Sequence, residues 1–176
     1  VFTLSNNLNV ILCSVFLLAT QRCAKHQTAM RISLVNVQFH EGNNMFPPLG
    51  LLYVAAALRA AGHRVHVLDG DPTVETDIID RVAAFEPELI GLSLLTMTWT
   101  RAVDLANALR RRLPDVPLMV GGPHATAEPH ATLDGLGATV VVRGEGETTA
   151  VEVASKLSQG LPLDGILGTV THRGVA

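Results

Sequence analysis

From residue 31 onward the chain alternates between two hydrophobic periods. Short apolar runs occupy Ile32–Val37, Val65–Leu68, Leu89–Leu94, Pro117–Val120 and Thr139–Val142. They are apolar on both faces, the pattern of strands covered by helices on either side of a parallel sheet. Between them apolar residues recur at helical spacing. Leu49, Leu52, Tyr53, Ala56 and Ala60 predict one stripe, Ile78, Ile79, Val82 and Phe85 a second, and Val103, Ala106, Leu109 and Leu113 a third. Pro48 suits the first turn of the first helix and Gly62 its stop. Five strand–helix units in succession predict an α/β domain whose five strands form a doubly wound parallel sheet. Ile166–Val170 is a candidate sixth strand that either closes this sheet or begins a linker. The expected organisation is an extension at 1–29, one domain at 30–160, and the start of a linker at 161–176.

The loops are unequal. Connections entering the strands, at 61–64, 86–88, 114–116 and 135–137, are short and plain. Those leaving them, at 38–47, 93–99, 121–125 and 143–147, are long or chemically unusual. In open α/β sheets ligands bind outside the carboxyl ends of the strands, near the switch in strand order. With the flavodoxin-like order 2-1-3-4-5, all four unusual loops share that edge, so the pattern predicts a ligand site there.

Composition narrows the ligand. Hydrophobic residues make up 48% of the chain and charged ones 16%, which is ample for a core. The net charge of −3, with Arg110-Arg111-Arg112 as the longest like-charged block, offers no basic stripe for nucleic acid. Cys13 and Cys23 form neither a disulfide framework nor a metal knuckle, so a reducing cytoplasm is the expected location. The apolar run Leu8–Ala19 is too short for a membrane span, which needs roughly 20 residues. No positive charge precedes it and no small-residue cleavage site follows, which argues against a signal peptide. Met30-Arg31-Ile32 reads as a natural start. The residues before it are then upstream sequence that is not native, or else a genuine uncleaved extension.

Each unusual loop has a plain reading beside a functional one. Gly121-Gly122-Pro123-His124 lets backbone approach a bulky group, or makes a tight turn before a helix capped near Thr126. His124 suits a cap or surface position as well as a ligand. Arg143-Gly144-Glu145-Gly146-Glu147 is not a dinucleotide fingerprint, because carboxylates stand where a pyrophosphate needs open N–H groups. Glu145 and Glu147 fit a helix N-terminus, while Gly144 and Gly146 are candidates to line a site. Ser93 and Thr96 are small hydroxyls able to bond a buried heterocycle, and Thr98 or Thr100 suits the cap of the next helix. The stretch 38–44 is long enough to fold over a ligand.

Four ordered segments carry a resemblance: PPLGLLYVAAALRAAGHRVHVLD from Pro47, IGLSLLTMTW from Ile90, VGGPHAT from Val120 and VVRGEGETT from Val141. Together they resemble the N-terminal cobalamin-binding domain of radical-SAM proteins over roughly 31–160. The branch they are most similar to includes the anaerobic magnesium-protoporphyrin monomethyl ester cyclase and many methyltransferases. The resemblance implies that the nucleotide tail of cobalamin runs into the sheet edge. Ser93 and Thr96 would stand beside its benzimidazole, Gly121, Gly122, Pro123 and His124 against the tail, and Gly144 and Gly146 across the cleft. Many such modules carry Asp-x-His-x-x-Gly after the first strand, the His binding cobalt and the Asp orienting it. Here Gln38-Phe39-His40-Glu41-Gly42 lacks the Asp and is one residue short. His40 is therefore a candidate cobalt ligand beside the alternative of no protein histidine at all.

The radical-SAM chemistry of that family needs a CxxxCxxC motif for its iron–sulfur cluster, and no such motif occurs among these 176 residues. Cluster and SAM are thus expected in a separate radical-SAM domain, and this chain alone is not expected to be catalytic. A phosphoacceptor receiver of the same fold is excluded, since it needs a lysine after strand 5, where Arg143 stands; the lysines are Lys25 and Lys156. Two alternatives stay open: a flavin- or nucleotide-binding domain of this fold, and a non-catalytic cobalamin-sensing or interaction domain.

Overall fold

Each apolar run becomes a strand in the computed structural model, which describes residues 29–38, 47–69 and 75–175. His40, both cysteines and the apolar run at 8–19 lie outside the described residues. The strands β1 (Arg31–Asn36), β2 (Arg64–Asp69), β3 (Leu89–Ser93), β4 (Leu118–Gly121) and β5 (Val140–Val142) are parallel, in the order β2-β1-β3-β4-β5. This is the expected doubly wound arrangement. The sheet then continues beyond the five expected strands. β6 (Thr169–Thr171) pairs antiparallel with β5, and β7 (Gly174–Val175) antiparallel with β6. Of the two alternatives for Ile166–Val170, a sixth strand or the start of a linker, the first is seen in β6, and Ile166 is fully buried.

The helices are α1 (Leu49–Ala60), α2 (Glu75–Ala84), α3 (Trp99–Arg112), α4 (Pro123–Ala127), α5 (Pro129–Leu136) and α6 (Glu147–Ser158). A 3-10 turn at Thr96–Thr98 leads into α3. Two cores flank the sheet. One joins α2, α3 and α5 to one face, and the other joins α1 and α6 to the opposite face. Residues of β1 and the one after it divide between them: Ile32 and Leu34 enter the α1/α6 core, Val35 and the following Val37 the other. That division is why the strand is apolar on both faces.

The second and third predicted stripes face the core, with Ile78, Val82, Ala106 and Leu109 buried. The first does not. Leu51, Ala55 and Leu58 are the buried residues of α1, while Leu49 and Tyr53 are 60% and 63% exposed and Leu52, Ala56 and Ala60 also face outward. From Leu49 to Leu58 the helix holds no charged residue, so it is apolar all round and its pattern cannot choose a face. The choice comes from its tertiary neighbours, β1, β2 and α6. Gly62, at φ +92°, ends α1 as expected.

Candidate functional site

A cavity of about 530 Å³ opens at the carboxyl ends of the strands, on the side covered by α1 and α6. Its floor is made by three neighbouring strands. Gly91 of β3 lies between Leu34 of β1 and Met119 of β4, both cavity-lining residues. A Cβ on Gly91 would stand 2.5 Å from Leu34 Cδ2 and 3.4 Å from Met119 Cε. The missing side chain is thus what lets the two neighbours close over β3. Leu51 and Val54 of α1, Val142 of β5 and Ala150 of α6 extend this apolar surface. Gly50 lines the mouth, with nothing within 4 Å of the place its Cβ would take.

The wall opposite is the turn after β4. Ser93, Gly121, Gly122 and Pro123 all line the cavity. Gly122 holds φ at +103°, and a Cβ there would stand 2.7 Å from the Leu94 carbonyl oxygen and 2.9 Å from the Leu94 nitrogen. The turn is packed that tightly because Leu94 N–H donates to the Gly121 carbonyl at 3.2 Å, and His124 N–H donates to the Leu94 carbonyl at 3.4 Å. α4 starts directly at Pro123, so Thr126 lies inside that helix and is not its cap. Its hydroxyl donates to the Gly122 carbonyl at 3.1 Å and accepts from Gly144 N–H at 2.9 Å. The turns after β4 and β5 are thereby tied together. Gly144, Glu145, Gly146 and Glu147 form the far side of the mouth, where Glu147 opens α6.

Thr96 and His124 are not among the lining residues. They bind each other: His124 Nδ1 is 3.1 Å from Thr96 Oγ1. The His124 ring is buried and lies 4.8 Å from that of Trp99. Gly135 of α5 leaves room for Trp99, since a Cβ there would come 2.7 Å from the indole ring. The pair thus braces the turn after β3 against α4, behind the wall that Ser93 and Gly122 present. Thr98 does not bond the N-terminus of α3; its hydroxyl closes the preceding turn on Leu95, accepting from N–H at 3.0 Å and donating to C=O at 2.9 Å. At the other end of the edge, Asn36 Nδ2 donates to Asp69 Oδ1 at 2.8 Å and Gln38 Nε2 bonds the same oxygen, joining the exits of β1 and β2.

Leu34, Gly50, Gly91, Met119 and Thr126 are site residues that sequence reasoning did not single out. Gly91 stands within the segment IGLSLL, where a glycine inside a strand was the available signal, and Thr126 within VGGPHAT, where it was read as a helix cap. Among the described residues no group of three or more His, Cys, Asp or Glu side chains could hold a metal ion. Among them, too, no helix is long and apolar enough to cross a membrane.

Residues 38–154 match the family model of the B12 binding domain. The chain belongs to the B12-binding domain family. Its curated relatives include an uncharacterized methyltransferase of Pyrococcus horikoshii, 36% identical over 125 residues, covering 69% of this chain and 27% of the relative. Another is the anaerobic magnesium-protoporphyrin IX monomethyl ester cyclase of Synechocystis sp., 35% identical over 132 residues, covering 72% of this chain and 26% of the cyclase. This B12-binding chain therefore spans about a quarter of the length of these relatives. Among solved structures, the radical S-adenosylmethionine methyltransferase TsrM of Kitasatospora setae with cobalamin and a [4Fe-4S] cluster bound superimposes with a TM-score of 0.74. At 24% identity, over 84% of this chain and 28% of TsrM, that likeness establishes the α/β fold.

Proposed function

We propose that the chain is a cobalamin-holding module whose cleft lodges the nucleotide tail of the corrinoid, and that it works with a radical-SAM domain. The observation that carries this reading is the cavity itself. It is mostly apolar, floored by a glycine between two side chains, and bounded by the glycine turns after β4 and β5. A flat heterocycle fits such a slot, whereas a pyrophosphate would meet Glu145 and Glu147 where it needs open N–H groups. Cobalamin, when bound, supplies cobalt-centred chemistry. The chain's own residues hold and orient it and keep water from its tail. Ser93 offers a hydroxyl to the base. Gly121, Gly122 and Pro123 form a flat wall for the tail, with Gly144 and Gly146 opposite. Thr96 and His124 fix that wall from behind.

The relatives supply the context: they carry about three times more chain than the matched part, and TsrM holds both cobalamin and a cluster. In this reading the reactive partner is a radical-SAM domain, the setting is the cytoplasm, nucleic acid is not a ligand, and the module alone performs no chemistry. Substituting Gly50 tests the cleft. Gly50→Phe projects a ring across the mouth into open space, and phenylalanine is a better helix former than the glycine it replaces. The variant is expected to keep or raise its thermal midpoint and to lose cobalamin binding at least tenfold, on the order of 1.4 kcal/mol. Wild-type affinity in a folded Gly50→Phe protein would place the ligand elsewhere.

A further inference from the structure

We infer that the cleft selects among corrinoids by the base of the nucleotide tail, taking a benzimidazole-type base and rejecting a purine. The inference rests on the proposed lodging of the tail in this cleft and adds what the walls demand of it. Among the described residues the side chains of the floor are aliphatic or thioether: Leu34 is 1% and Met119 5% exposed, and both stand over Gly91, which has no side chain to offer. Val142 and Ala150 continue this surface upward, at 4% and 1% exposure. Among the described lining residues, polar side chains occur only toward the mouth. Ser93 Oγ lies next to the Gly122 turn, 3.2 Å from where a Cβ of Gly122 would be. The Thr126 hydroxyl already donates to the Gly122 carbonyl and accepts from Gly144 N–H. Glu145 and Glu147 belong to the opposite rim, where Glu145 is exposed to water.

A base that enters such a slot needs one polar edge for the rim and one apolar edge for the floor. Dimethylbenzimidazole has that division, with its ring nitrogens on one side and two methyl groups on the other. Adenine does not, because ring nitrogens and an exocyclic amine occupy its far edge as well. Against Leu34 and Met119 those groups would give up water and gain no hydrogen bond. A buried polar group left unsatisfied costs on the order of a tenfold loss of affinity or more.

The test is a titration of the full chain with three probes, followed by visible absorption and calorimetry: cobalamin, its adenine-based counterpart, and cobinamide, which has no nucleotide. Cobalamin is expected to bind roughly tenfold or more tighter than the adenine form, and more tightly than cobinamide. Equal affinity for cobalamin and the adenine form, both tighter than cobinamide, would overturn the selectivity and leave the cleft reading standing. Cobinamide binding as tightly as cobalamin would instead overturn the cleft reading itself. Met119→Gln, which places an amide on the floor, is expected to narrow the ratio between the two nucleotide forms. A folded variant with the wild-type ratio would show that the floor does not discriminate. The wild-type series decides the matter by itself if that variant does not fold.

Discussion

Gly122 shows how little freedom the cleft wall has. Its φ of +103° is one that side-chain-bearing residues rarely adopt, and any Cβ would press on the Leu94 backbone, which cannot swing aside as a side chain can. Gly122→Ala should therefore destabilise the domain itself, by about 1–3 kcal/mol, read as a lower urea midpoint without ligand. An alanine variant with unchanged stability would mean that the turn after β4 relaxes freely. Gly50 is the contrasting case, equally close to the cavity but with open space around it. From sequence the two glycines differ only in their neighbours. The GGP turn was legible because consecutive glycines before a helix imply close backbone approach. The floor was not legible. Leu34 and Met119 sit in strands as ordinary apolar residues, and the same residue types fill a core or line a cavity; which they do depends on how far α1 and α6 stand off above them. Thr96 and His124 illustrate the opposite gap, since polar residues beside a site read alike whether they touch the ligand or brace its wall.

At the scale of elements, α1 is the instructive one. A stripe can be read from sequence only where polar residues mark the other side of the helix, and here none do until Arg59. The strands were legible as short uninterrupted apolar runs, the other two stripes because Arg, Asp and Glu interrupt them at the right spacing, and the loops announced the edge that carries the cleft. The short antiparallel strands β6 and β7 were only half legible, being three and two residues long. The observed face of α1 makes a stability prediction that the expected face reverses. Leu58 is fully buried, so Leu58→Ala should cost about 2–5 kcal/mol. Leu52 and Tyr53 are exposed, so Leu52→Ala and Tyr53→Ala should each stay within about 0.5 kcal/mol. Chemical denaturation of the three variants checks this, and a larger loss at Tyr53 than at Leu58 would contradict the packing described.

For the whole molecule, two histidines away from the cleft couple stability to pH. His63 is buried and accepts a hydrogen bond at Nδ1 from Met30 N–H at 3.2 Å, so protonating that nitrogen would break the bond. Burial holds its pKa below the usual value of 6.5. His66 is also lowered, first by burial and then by the positive charge of Arg81, and its ring packs on Phe85 with Arg64 over the far ring. Its Nδ1 is buried without a hydrogen-bond partner among the described residues, as is the hydroxyl of Ser33, its partner in the β1–β2 register. The unfolded chain takes up these protons near pH 6.5 and the folded chain only at lower pH. Stability conferred by the neutral rings is therefore fully present above pH 6.5 and declines as pH falls from there toward the folded-state values. The urea midpoint should be lower at about pH 5.5 than at about pH 7.5, and His66→Phe should flatten part of the difference. A slope that His66→Phe leaves unchanged would assign it to other groups.

The central claim is that the edge cleft of this B12-binding domain holds a corrinoid, and the competing ligand for the same fold is a flavin. Incubating the purified chain with cobalamin or with flavin mononucleotide, then separating free from bound by gel filtration, tests it most directly. The account predicts that the corrinoid spectrum travels with the protein at one equivalent per chain and that flavin elutes free. Flavin retained by the protein with cobalamin eluting free would contradict it.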